Sequence, residues 1–209
     1  MEEVLLGIEE YRRINPNRLT EEQLAALEQE IEHPQKGTVS DEYVDYRFWR
    51  RGLPSRQRLF ATYLKDILPD GQLRILEVGG GRNAGLSVLL RDMGHRVTCM
   101  DPRTEPSAGE EIEIRREAFH WEKADLREYD YVVAQEPCQA TEHIVRACSG
   151  QKVPFIVALC GVPHELIRGG MPEDVFAWYD YLEQIDPEHT RLDYVQIYPG
   201  MNVAVIRSK

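Results

Sequence analysis

The chain has 209 residues, with 36 acidic against 25 basic side chains and a formal charge of −11. Its 42% hydrophobic and 29% charged content is that of an ordinary globular domain, which excludes wholesale disorder. So acidic a chain repels a phosphate backbone, and no apolar run approaches membrane-spanning length; neither nucleic acid nor a membrane is an expected partner. Cys99, Cys138, Cys148 and Cys160 lack C-x-x-C spacing, so neither a disulfide framework nor a cysteine zinc site is predicted. The acidic N-terminus has no apolar core of the signal-peptide kind, and a cytoplasmic location is expected.

The first fifty residues read as helices. Thr20 and Gln23 match a capping box, Leu19 and Leu24 a hydrophobic staple, and Leu24, Leu27 and Ile31 recur at helical spacing up to His33-Pro34. A further helix from Ser40 carries Tyr43, Tyr46, Phe48 and Trp49 among arginines; Gly52 and Pro54 end it. Ser55 is placed to cap the next helix, whose stripe runs through Leu59, Phe60, Leu64 and Ile67. From Leu73 strands alternate with helices, the pattern of a mostly parallel sheet covered on both faces. Strands are predicted at 73–78, 96–101, 111–115, 130–135, 154–160, 191–198 and 202–207. Helices are predicted near 84–93, 121–128, 139–148 and 172–185, with Gly94 as a C-cap glycine. The polar segment 102–110 is short for a parallel crossover and reads as a loop. Pro199-Gly200 leaves room only for an antiparallel hairpin between the last two strands.

The densest information lies between Arg74 and Asp101. A short apolar strand runs into Gly79-Gly80-Gly81, a helix follows, and a second strand ends on Asp101. Glycines let a backbone approach a ligand, and a carboxylate ending the second strand is placed to accept hydrogen bonds from a ribose diol. Gly79-x-Gly81-x-x-Ala84 also satisfies a relaxed dinucleotide fingerprint, so an NAD(P)-dependent oxidoreductase stays open at this point.

Glu77-x-Gly79-x-Gly81, followed by Asp101 24 positions after Glu77, resembles motif I and the acidic end of strand two in class I S-adenosylmethionine-dependent methyltransferases. The resemblance covers roughly Ser55 to Lys209, by order of elements, and includes the terminal hairpin. It implies that Glu77, Gly79, Gly80, Gly81 and Asp101 hold the methionine end and ribose of S-adenosylmethionine. Where the family has a third glycine this chain has Asn83, a residue that tolerates left-handed backbone. Glu117 and Phe119 fall where the family surrounds adenine, though Phe119 also suits a plain core position. The fourth strand ends in Gln135-Glu136-Pro137, which the resemblance puts beside the transferable methyl. Glu136 then reads as a general base or as the ligand of a cationic acceptor, and a solvated strand-end carboxylate is the plainer account. His164 is a second candidate base, and His143 another histidine that could face the crevice. Tyr46 and the aromatics and arginines around it stand at the distance of a helical lid.

The expectation is therefore α/β, a Rossmann-like seven-stranded mostly parallel sheet with a C-terminal antiparallel hairpin, preceded by N-terminal helices. Residues 1–54 form the helical segment and 55–209 the methyltransferase-like domain. The expected activity is methyl transfer from S-adenosylmethionine to an oxygen, nitrogen or carbon nucleophile on a small molecule. A non-catalytic cofactor-binding or scaffold protein is the other alternative.

Overall fold

A computed structural model describes residues 55–105, 111–163, 167, 168, 170, 174–198 and 201–209. The capping box at Thr20, the aromatic and arginine run with Tyr46, and His164 lie outside the described residues, and the N-terminal helices fall with them. The chain divides into two compact units, 1–59 and 60–209, and the sheet belongs to the second.

Seven strands form it: β1 (Arg74–Val78), β2 (Arg96–Met100), β3 (Glu113–Arg115), β4 (Tyr131–Gln135), β5 (Phe155–Ala158), β6 (Thr190–Tyr198) and β7 (Met201–Ser208). Their order is β3-β2-β1-β4-β5-β7-β6. The first five are parallel, and β7 runs antiparallel between β5 and β6. This is the Rossmann-like sheet with a terminal hairpin that the order of elements predicts.

Four helices accompany the described part of the sheet: α1 (Arg56–Ile67), α2 (Gly85–Asp92), α3 (Thr141–Gln151) and α4 (Val175–Gln184). Side chains start two of them. Ser55 Oγ accepts from the Arg58 N–H at 3.3 Å, and Asp174 accepts from Phe176 and Ala177 at 2.9 and 3.3 Å. After α2, Gly94 turns the chain at φ +95°.

Four of the five residues of β1 are buried, as a central parallel strand requires. Alternation along the strands sorts their side chains by face. Leu76, Val78, Val132, Ala134 and Val157 join Ile144 and Val145 of α3 and Trp178 and Leu182 of α4 in the main core. Each large aliphatic side chain buried there contributes about 1.5–3 kcal/mol. Glu77 therefore points to the other face, where it pairs in register with Cys99. That parity decides what Glu77 can touch.

Among the described residues, one predicted element is absent. Residues 121–128 form turns, not a helix. A single turn closes on the His120 carbonyl, which accepts from Lys123 and Ala124 at 3.1 and 3.0 Å. The chain is then captured by side chains. Asp125 accepts the Arg127 N–H at 3.2 Å, while Gln151 of α3 accepts from the Leu126 N–H at 2.9 Å and donates to the Ala124 carbonyl at 2.8 Å. These bonds use the donors and acceptor a helix would need.

Candidate functional site

The sheet order turns back between β1 and β4, and a crevice opens at the carboxyl ends of the strands at such a point. A cavity of about 420 Å³ lies there. Gly79 after β1, Asp101 after β2, Phe119 beyond β3, and Glu136 and Pro137 after β4 line it, with His120 and His143 at its side. The structure thus brings together Gly79, Asp101, Phe119, Glu136 and His143 out of the residues singled out in the sequence.

Asp101 is 3% exposed and accepts four hydrogen bonds. Its Oδ1 takes the Arg103 backbone N–H at 2.7 Å and Arg103 Nε at 3.2 Å; its Oδ2 takes the Gly81 N–H at 3.0 Å and an Arg103 terminal nitrogen at 3.1 Å. Burial pushes its pKa up, but the Arg103 hydrogen bonds and charge and the Gly81 N–H outweigh it. The carboxyl is held below the ordinary range and is ionised at neutral pH. Four acceptor sites are about all a carboxylate has, so a newcomer must displace a donor. The exposed Arg103 side chain, which supplies two of the four, is the donor able to leave.

Glu77 does not line the cavity. It is buried behind the glycine loop and accepts the Ser87 hydroxyl of α2. Burial pushes its pKa up to about 7, against hydrogen bonds from Ser87 and Cys99, and the nearby Asp101 charge adds to the rise. Gly80 makes this arrangement possible. A Cβ there would stand 2.5 Å from Cys99 Sγ and 2.8 Å from Glu77 Oε2. Gly79, at φ +83°, packs less tightly on the other side, its missing Cβ lying 3.2 Å from Pro137 Cα.

The remaining predicted residues lie farther out. Gly81 reaches the site only through its N–H on Asp101. Asn83 is exposed, and the left-handed non-glycine residue in this turn is not Asn83 but Ala84, at φ 45° and ψ 41°. Ala84 is fully buried with Cys99 and Ile112, and that packing offsets a left-handed cost of about 1–2 kcal/mol. Glu117 is exposed and faces a second groove, of about 900 Å³, along Arg115 to Tyr129; Phe119 borders both spaces. Gln135 turns to Tyr198, donating to its hydroxyl at 2.6 Å.

Four side chains at the site were not read as parts of it in the sequence. Arg103 covers Asp101, and its place two residues after the strand-end carboxylate was the signal for it. Tyr198 donates to Glu136 Oε1 at 3.2 Å and so ties the last residue of β6 to the end of β4. No local pattern announces that, because 62 residues separate the partners. Cys138 lines the cavity, and its Sγ lies 3.7 Å from Cys160 Sγ at the end of β5. His120 lines it too. Glu136 and Cys138, on either side of Pro137, both take left-handed backbone, at φ 52° and 48°. Strain of about 1–3 kcal/mol at such residues persists where the surroundings hold it, and it clusters at functional sites.

The strand order, with five parallel strands and an antiparallel terminal hairpin, is that of a Rossmann-like α/β sheet. No family model matches the chain, and no curated protein does. Solved structures similar to it include magnesium protoporphyrin IX methyltransferase (ChlM) from Synechocystis PCC 6803 with bound SAH, at 13% identity over 88% of this chain and 94% of that one, with a TM-score of 0.48. A TehB-like SAM-dependent methyltransferase from Corynebacterium glutamicum is similar at 17% identity over 78% and 93% of the two chains, with a TM-score of 0.46. The bifunctional kinase-methyltransferase WbdD is similar at 13% identity and a TM-score of 0.46. There, 74% of this chain is covered but only 37% of WbdD.

Proposed function

We propose that the chain is an S-adenosylmethionine-dependent methyltransferase whose crevice receives a small-molecule acceptor. The observation that carries this reading is Asp101, an ionised, buried carboxylate that ends β2 and faces the cavity beside Gly79. A ribose diol offers two hydroxyl donors, the number released when the Arg103 side chain withdraws. Phe119 supplies an apolar wall of the kind that suits a purine, and Gly79 lets the loop backbone come close. Behind the loop, Glu77 adds an acidic group that a cationic ligand favours and a pyrophosphate does not. The residues present therefore fit S-adenosylmethionine better than a dinucleotide.

The bound cofactor supplies an electrophilic methyl on a sulfonium. What this chain contributes is alignment and exclusion of water. Glu136 stands at the end of β4 on the wall of the crevice, fixed by the Tyr198 hydroxyl and by its own N–H on the Ala158 carbonyl at 2.9 Å. Its carboxylate is the group we assign to take the proton from an acceptor hydroxyl or amine.

Thermal unfolding with S-adenosylmethionine, S-adenosylhomocysteine, NAD(H) and NADP(H) tests the assignment. The first two are expected to raise the midpoint and the nicotinamides to leave it unchanged. Protection by a nicotinamide alone would make the chain an oxidoreductase, and protection by none would leave the crevice without this role.

A further inference from the structure

We propose that His120, Glu122 and His143 form a site for a zinc-class divalent cation at the rim of the crevice. One ligand atom from each of the three lies within 4.8 Å of the other two. His143 projects from the first turn of α3, and His120 opens the turn that stands where a helix was predicted. Their rings meet edge to face, with centroids 5.3 Å apart and an interplanar angle of 83°. The backbone fixes the loop that carries the other two ligands. The Lys123 and Ala124 N–H groups close on the His120 carbonyl, and the Trp121 N–H reaches Nδ1 of His143 at 3.5 Å. An ion held through that Nδ1 takes over the lone pair on which this long bond rests.

The donor set selects the ion. Two imidazole nitrogens and one carboxylate oxygen suit zinc and its late first-row neighbours, whereas calcium and magnesium prefer oxygen cages. A tetrahedral zinc with bonds of about 2.0–2.2 Å holds its ligands roughly 3.3 Å apart. The cluster reaches that spacing when its side chains close by about 1.5 Å, and His120 and Glu122 are exposed and able to swing. Three protein ligands leave a fourth position open. His120 and His143 line the same cavity as Gly79 and Asp101, so that position borders the crevice. The site does not depend on the methyltransferase reading, and its test reads the metal directly.

Full-length protein stripped with a chelator is titrated with zinc against a chromogenic competitor, and cobalt(II) spectra report the ligand type. One equivalent of zinc is expected to bind. His120→Ala, Glu122→Gln and His143→Ala should each weaken it at least tenfold, while His189→Ala and the Cys138→Ser/Cys160→Ser double variant keep it. Circular dichroism confirms that each variant is folded. The proposal is overturned if no zinc binds, if the three variants bind as tightly as the parent, or if the cysteine double variant loses the ion and cobalt shows thiolate charge-transfer bands. S-adenosylhomocysteine binding to the stripped protein is measured separately, so loss of one result leaves the other standing.

Discussion

Glu77→Gln separates the cost of a buried charge from its use. In the folded chain the Glu77 pKa is pushed up to about 7 from 4.5, with burial the leading cause. A raised carboxyl binds a proton more tightly in the folded than in the unfolded state. The wild type therefore loses stability as pH rises from about 4.5 to 7 and levels off above that. At 1.36 kcal/mol per unit, the loss comes to about 3 kcal/mol. Glutamine keeps the shape and can still bond Ser87, because that hydroxyl accepts as well as donates. Urea unfolding of both proteins at acid and at mildly alkaline pH measures the difference. The variant should gain about 3 kcal/mol relative to wild type between the two conditions. It should also bind S-adenosylmethionine more weakly, because the acid behind the loop is gone. Parallel pH profiles for the two proteins would refute the buried-charge argument, and unchanged affinity would remove Glu77 from the site.

Asp101→Asn should weaken S-adenosylhomocysteine binding by about tenfold to a hundredfold in calorimetry, since hydrogen bonds to a charged group contribute about 1.5–3 kcal/mol. The same variant tests pH dependence. Because the Asp101 pKa is depressed in the fold, its contribution is present above about pH 4 and fades as acid protonates it; the variant should lack that slope. Arg103→Ala should tighten the same ligand by up to about fivefold, because the exposed Arg103 side chain is then no longer in competition for Asp101, a release of about 1 kcal/mol; weaker binding would mean that Arg103 grips the ligand itself. Gly80→Ala should destabilise by about 1–3 kcal/mol in chemical denaturation, and adding Cys99→Ala should restore part of it by removing the sulfur 2.5 Å from the new methyl.

Much of the fold was legible because the sheet is written in local code. Apolar runs bounded by Gly94, Pro102 and Pro199-Gly200 marked the strands, and the short final link dictated the hairpin. The helix expected at 121–128 failed because Gln151 and Asp125 take its backbone groups, and Gln151 arrives from 25 residues away. The site divides in the same manner. Asp101, Gly79 and Glu136 were readable as strand ends, since topology delivers those to the crevice. The orientation of Glu77 was less so, although counting from Leu76 by twos already assigns it to the α2 face. Tyr198 and Cys160 were beyond reach because tertiary pairing alone sets them beside Glu136 and Cys138.

The turns of residues 121–128, held by side-chain clasps where a helix was expected, have a bearing on recognition. Phe119, one wall of the crevice, stands two residues before them and is buried in the main core, so the aromatic surface offered to a guest is held by packing and not by a helix. Such a wall stands in place before a guest arrives, so little of the attraction is spent on ordering it. Clasps and packing together give this rim the firmness that a helix would otherwise supply.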